Sequence, residues 1–316
     1  TDLSEDTEYS NIKVVAYINE STSKESNIET VTTLGAWSEE YKTTSDYTDA
    51  YGNVAKIPEG FQVSTKVGQT NINEGLVVRN ATDKNEFVWI PVGKIYTDAA
   101  RTEANAKTIE LNRYTFDSSG NPTAPNGNII DRYYQELATS TSTFKNSVST
   151  NKGFYIGRYE ARRNRTITEV GTDTVWNSIP QQDAATVARN MYKDAKTFTS
   201  DLMNSYAWDT ATLFLQTCGD NPTYSRKTSV NSKFATTGTN DTTKYTGTQD
   251  IQCNIYDMAS NVEEWTTETY SGPNGPCVIR GGYYHYSGYY TSYRNYCSTS
   301  ISYSYIGFRP LLYLQV

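Results

Sequence analysis

The chain has one histidine, His285, and four cysteines, Cys218, Cys253, Cys277 and Cys297, whose spacings match no zinc-binding pattern. So few soft ligands make a zinc or copper cage hard to assemble, which weighs against metal catalysis. Four cysteines allow three full pairings, among which sequence does not choose, and scattered buried thiols are the plainer alternative. Lysine and arginine form no cluster beyond the short "ARRNR" at Ala161–Arg165, and the net charge is −7. A phosphate-tracking surface is therefore not expected, and nucleic acid is excluded as a partner. No run of about 18 apolar residues and no charged-then-apolar leader is found, so the chain as given reads as soluble.

Hydrophobic residues are also scarce, at 36% with a mean hydropathy of −0.65. Instead the chain has 27 Tyr, 9 Phe and 5 Trp, apolar area that tolerates water at one end. Much of the aromatic load is expected near the surface. The abundance of Thr, Ser and Asn suits an exported protein. At 316 residues there is material for one large domain, or one domain with a small appendage.

Along the chain, residues 1–51 are polar with one strand pattern at Ile12–Ile18 ("IKVVAYI") and read as a small β-containing extension, β-rich or stalk-like. A denser pattern follows. "KIPEGFQV", "EGLVVRN" and "EFVWIPVG" have strand composition with Gly and Pro punctuation, and Lys152–Arg162 ("KGFYIGRYEAR") resumes it. Residues 97–150 are polar, with a long loop expected at Ser118–Asn128. Helical spacing predicts one helix behind Asp183 as N-cap, carrying Ala184, Val187, Ala188, Met191 and Ala195, and a second behind Ser205, carrying Ala207, Trp208, Ala211, Phe214 and Leu215. Gly219–Thr248 reads as irregular.

"NIYDMASNVEEWTTE" at Asn254–Glu268 sets Asn261, Glu263 and Glu264 between Met258 and Trp265. Such oxygens suit a hard cation such as calcium; a polar turn whose carboxylates are solvated or cap backbone N–H groups is the other reading. Taken together, "FVWIPVG", "FYIGRYEA", "AWDTATLFLQ", this segment, "RGG" at Arg280–Gly282 and the terminal "GFR" resemble, in order, the formylglycine-generating-enzyme or sulfatase-modifying-factor family. Ser260 and Glu263 replace the Gly and Trp of its N-x-x-G-N-V-W-E-W motif. The resemblance implies an α+β fold of the C-type-lectin-like, formylglycine-generating-enzyme type over residues 52–316. It also implies a structural calcium held by Asn261 and Glu264.

The catalytic members carry two copper-binding cysteines shortly after RGG, where this chain has "YYHYSGYYTS". Cys297 stands alone farther on and His285 has no partner histidine, so the chain is expected not to be an enzyme and to require no cofactor. A copper-dependent oxidase and a calcium-dependent sugar-binding lectin are the competing classes. Nine of the 23 residues between Gly282 and Ile306 are tyrosine. With serine and glycine this is the composition of antibody paratopes, whereas a buried core would strand too many hydroxyls.

A narrower resemblance is to variable proteins of diversity-generating retroelements, whose C-terminal segment is mutagenised at adenines on a C-type lectin scaffold. It implies a receptor- or adhesin-like protein with a variable segment at 280–309, extracellular, at a cell surface or on a phage particle. The implied partner is a protein, cell-surface or glycan ligand; no oligomeric state follows. The expected contact residues are Tyr284, His285, Tyr286, Tyr289, Tyr293, Asn295, Tyr296, Tyr303, Ser304 and Tyr305. Ser287, Tyr290, Thr291, Ser292 and Arg294 are expected to be frame, with Arg280, Phe308 and Arg309.

Overall fold

The computed structural model describes residues 8–19, 22–32, 36–125, 133–136, 138–162, 175–228, 250–272, 275–284, 286 and 288–316. Expectations for His285, Ser287, residues 126–128 and residues 229–248 fall outside them. The strand expected at Ile12–Ile18 lies within Glu8–Asn19, which pairs antiparallel with Thr22–Thr32 in a hairpin.

Six antiparallel strands form the larger sheet, in the order Phe198–Leu202, Pro310–Leu314, Gly153–Gly157, Glu86–Pro91, Val77–Asn80, Phe61–Val63. All residues of Glu86–Pro91 and Gly153–Gly157 are buried, as their unbroken apolar runs require in a sheet covered on both faces. Trp89 packs edge-on to Tyr155, with ring centroids 4.9 Å apart. A Cβ at Gly153 would meet the Trp89 ring at 2.2 Å, so only glycine fits opposite it. The second sheet runs Tyr134–Gln135, Glu263–Tyr270, Cys277–Arg280, Arg294–Cys297, with Ile306–Gly307 added parallel to the start of Glu263–Tyr270. Residues before 52 join the same body: Trp37 bridges Ser64, and Asp49 accepts a hydrogen bond from the Ile72 amide at 2.9 Å.

Three helices complete an α+β fold. The first, α1 (Ala138–Asn151), lies in a stretch whose Ser/Thr-rich sequence shows little periodicity. It is held by Phe144, which meets Phe154 and Tyr313 at 5.2 and 5.5 Å, so tertiary packing overrides weak propensity. The second, α2 (Gln181–Asn190), starts after Pro180, and Asp183 falls in its first turn rather than at the cap. There its charge faces the helix's positive end. The third, α3 (Ser205–Cys218), is capped by Asn204, whose side chain accepts from the Ala207 amide at 2.9 Å, one residue before the expected serine. Its amphipathic reading also changes: Ser205 through Gln216 are all buried, because α3 touches both Glu86–Pro91 and Glu263–Tyr270.

The N-terminus of α3 is tied to the second sheet by Glu136, which accepts from the Ser205 amide at 2.8 Å and the Thr267 hydroxyl at 2.7 Å. Burial pushes this carboxyl up to about 7; the two donors pull it partly back, and the nearby Glu268 adds to the rise. The folded state thus holds a proton that the unfolded chain releases near its ordinary value. Stability from this group is full below that value and is lost as pH rises through about 7. Melting curves between pH 4.5 and 8 are expected to show this loss, at most about 3 kcal/mol, and Glu136→Gln to flatten it.

Candidate functional site

The segment from Arg280 to Arg309 leaves the second sheet and returns to the six-stranded one, and guanidinium groups hold it at both ends. Arg280 donates to Asp209 of α3 at 2.6 Å and to the carbonyl oxygens of Tyr293 and Ser292 at 3.0 and 3.3 Å. Arg294 donates to Asp209, to both oxygens of Glu268 at 3.0 and 3.1 Å, and to the Tyr114 carbonyl at 3.1 Å. Arg113 reaches Glu268 as well. Burial alone would raise the Asp209 carboxyl, but the Arg280 and Arg294 charges outweigh it and hold the group below its ordinary range. At the far end Arg309 binds Glu264 at 2.8 Å and the carbonyls of Gly157 and Tyr256 at 2.8 and 2.7 Å, stitching the two sheets together.

Gly281 follows at φ +83°, where a Cβ would meet the Met258 carbonyl at 2.7 Å. Thr291 and Ser292 are buried, their amides bonded to the carbonyls of Lys227 and Ser225, and Trp208 donates to the Thr291 carbonyl at 2.9 Å. The frame roles expected of Thr291, Ser292, Arg294 and the bookend arginines match these contacts.

Between the anchors, eight tyrosine rings interlock. Tyr303 stacks on Tyr305 (5.0 Å between centroids), Tyr305 on Tyr283 (4.5 Å), and Tyr289 on Tyr293 (4.1 Å). Tyr283 also lies 6.3 Å from Tyr286, 6.0 Å from Tyr289 and 6.2 Å from Tyr284, while Tyr286 meets Tyr289 edge-on at 4.8 Å. Tyr290 stands edge-on to Tyr293 at 5.4 Å, and the Arg226 guanidinium lies 3.6 Å over its ring. None of the eight is buried, and Tyr286 and Tyr303 are 49% and 46% exposed. The array is a surface of stacked and edge-on rings.

Of the expected contact residues, Tyr284, Tyr286, Tyr289, Tyr293, Tyr303 and Tyr305 come together here. Asn295 lies beneath them, donating to Glu263 at 3.1 Å, and Ser304, between Tyr303 and Tyr305 in the chain, accepts from the Asn177 side chain through its carbonyl. Tyr296 is apart, stacked on Tyr270 at 4.2 Å, because side chains alternate along Arg294–Cys297. Sequence reasoning missed Tyr283, the hub of the array, and assigned Tyr290 to the frame. Only the fold shows that the residue next to RGG turns its ring outward.

Glu263 is fully buried below the array. Its amide donates to the Tyr305 carbonyl at 2.9 Å, one carboxylate oxygen accepts from Asn295, and the other has no partner among the described residues. Burial pushes this carboxyl up to about 8, with the Asn295 hydrogen bond pulling back. Burial likewise raises the hydroxyls of Tyr293 and Tyr305 to about 12 and lifts those of Tyr283 and Tyr289, and the nearby Glu263 adds to each.

The family model for the sulfatase-modifying factor enzyme 1-like domain matches residues 73–312, most of the chain. The chain belongs to this family. Solved structures similar to this sulfatase-modifying-factor-like domain include Treponema denticola variable protein 1 (12% identity, covering 72% of this chain and 95% of that one, TM-score 0.40). Others are the Major Tropism Determinant M1 variant (11% identity, 89% and 83% covered, TM-score 0.37) and CarF (16% identity, 52% and 87% covered, TM-score 0.37). No curated protein matches the chain.

Two features of the family's chemistry can be tested on the residues present. For calcium, Glu264 accepts from Arg309 through both oxygens, while Asn261 donates its side-chain N–H to Glu160, which also accepts from the Val262 amide at 3.1 Å, and keeps its oxygen without a partner among the described residues. The Arg309 guanidinium already neutralises Glu264, and among the described residues no group of three His, Cys, Asp or Glu could hold a metal. The Asn261 and Glu264 set does not fit calcium. For copper, Cys297 is not alone as its sequence position suggested: it pairs across the sheet with Cys277. Both thiols are buried and unpaired, and burial raises them, Cys277 to about 11. A thiolate nucleophile would need that rise reversed, as a bound cation does to a coordinating thiol.

The frame and the array differ in what they hold together. Arg294→Ala leaves Asp209 and Glu268 short of a buried partner and is expected to cost about 3–5 kcal/mol of folding stability. Tyr286→Ala and Tyr303→Ala are expected to cost less than about 0.5 kcal/mol, as exposed positions do. Thermal melts of the three variants check this; unfolding by both tyrosine variants would make the array a core.

Proposed function

We propose that the protein is a non-enzymatic ligand-binding protein, receptor- or adhesin-like, that presents the 280–309 segment as its binding face. The interlocked, half-exposed tyrosine array on a buried guanidinium–carboxylate frame carries this reading. Tyrosine gives large contact area for little lost entropy, and stacking removes more of that cost before a ligand arrives. The contact set is Tyr284, His285, Tyr286, Tyr289, Tyr293, Asn295, Tyr303, Ser304 and Tyr305, extended by Tyr283 and Tyr290. The resemblance to retroelement variable proteins supports diversification of this segment and an extracellular, cell-surface or phage location. The stretch after RGG, "YYHYSGYYTS", has no cysteine, which speaks against oxidase chemistry.

Copper titration with a cysteine-containing peptide is expected to give no turnover; stoichiometric binding with turnover overturns the reading in favour of an oxidase. In a screen against cell-surface proteins and a glycan array, single alanine variants at Tyr286, Tyr289 and Tyr305 are expected to cost about 1–3 kcal/mol of binding to whichever ligand is found. Loss of binding that tracks loss of folding would count against a displayed face.

A further inference from the structure

A cavity of about 670 Å³ opens where the end of α1 meets the strand Gly93–Tyr96 and the turn before it in space at Gly52, Asn53 and Val54. That volume suits a small molecule, and no residue of the 280–309 segment lines it. Val92, Ile95, Leu111 and Val148 supply its apolar lining, while Lys94, Arg101, Lys145 and Lys152 bring four cations and no Asp or Glu lines it. Helical spacing puts Lys145, Val148 and Ser149 on one face of α1. Lys152 ends that helix: its amide donates to the Val148 carbonyl and its carbonyl accepts from the Val92 amide, both at 2.8 Å. Lys94 is paired with Glu103 at 2.6 Å. Arg101 donates to the carbonyls of Tyr51 and Gly52 at 3.2 and 2.6 Å, and the Lys145 ammonium lies 4.4 Å over the Tyr206 ring. Among the described residues, Arg101, Lys145 and Lys152 have no carboxylate partner. Three positive charges thus line an apolar space in a chain whose net charge is −7. Two of them also hold unfavourable backbone. Arg101 and Lys152 have φ of +51° and +62°, the left-handed region that glycine or asparagine enters more easily. The negative end of α1 favours a cation at Lys152, but it does not account for Arg101.

We propose that this cavity is a second binding site, for a small anion with an apolar body, its carboxylate or sulfonate head among Arg101, Lys145 and Lys152 and its body on Val92, Ile95, Leu111 and Val148. An anionic head gains charge-assisted hydrogen bonds from cations that have no carboxylate of their own, whereas a neutral molecule of the same shape gains only from the apolar lining. Binding at the displayed face does not depend on this site.

The test follows the fluorescence of anilinonaphthalene sulfonate, an apolar anion, on the whole chain at low salt, with octanoate and its neutral counterpart octanamide as competitors. Saturable binding is expected, displaced by octanoate at least about tenfold more effectively than by octanamide, and weakened by added salt. Lys152→Gly suits the left-handed backbone, so it is expected to keep or raise the melting temperature while weakening the probe and octanoate about threefold. Lys145→Met, which keeps the apolar stem, is expected to do the same to binding, and the two together to weaken it about tenfold. Tyr289→Ala, on the displayed segment, is expected to leave probe binding unchanged. No saturable signal, equal displacement by octanamide, or unchanged affinity in the folded lysine variants overturns the site. Loss of the signal in Tyr289→Ala would put the probe on the tyrosine array and overturn it as well.

Discussion

The structure depends on a buried exchange between three guanidiniums and two carboxylates. Arg113, Arg280 and Arg294 meet Asp209 and Glu268 where a helix, three strands and the Arg113–Tyr114 segment converge. Such groups gain little net stability over a hydrophobic packing, because each charge must first be stripped of water. What they supply is directional. A guanidinium has five donors in a fixed fork, so once the carboxylates and carbonyls are in place it accepts one arrangement of the surrounding chain. Arg280 and Arg294 open and close the first excursion of the C-terminal segment, and each bonds backbone carbonyls as well as acids. The ends of a long irregular stretch are thereby fixed independently of the residues it carries.

That independence explains how so many tyrosines can sit together without forming a core. Their rings stack on one another and none is buried, with Tyr305 joining them to the apolar cluster around Trp265 and Phe308. Arg309 with Glu264 plays the same part where the segment rejoins the six-stranded sheet. Here the two acidic residues of the "NVEEW" motif diverge. Glu264 is neutralised within the scaffold, whereas Glu263 is buried beneath the tyrosine array with one oxygen lacking a partner among the described residues.

Family, fold class and the existence of a special C-terminal segment were legible in the residues. The apolar runs at Glu86–Pro91 and Gly153–Gly157 are long enough and punctuated clearly enough to read as strands, and RGG and GFR mark fixed backbone. The Ser/Thr-rich α1 was not legible, since its helix exists because Phe144 packs on Phe154 and Tyr313. Nor was the meeting of Cys277 with Cys297, which depends on strand register.

The sequence by itself determined the material of the site: stacking rings between stiff ends, without the paired cysteines of a catalyst in the same stretch. Local composition is enough for that, because it limits what chemistry is available. Tertiary structure decided which rings form the array. It turned Tyr283 and Tyr290 into it and Tyr296 out of it, and it paired Glu264 with Arg309 and the Asn261 side-chain N–H with Glu160. Pairings of that kind join residues far apart in the chain, so their partners are set by packing and register, which no short stretch of sequence encodes.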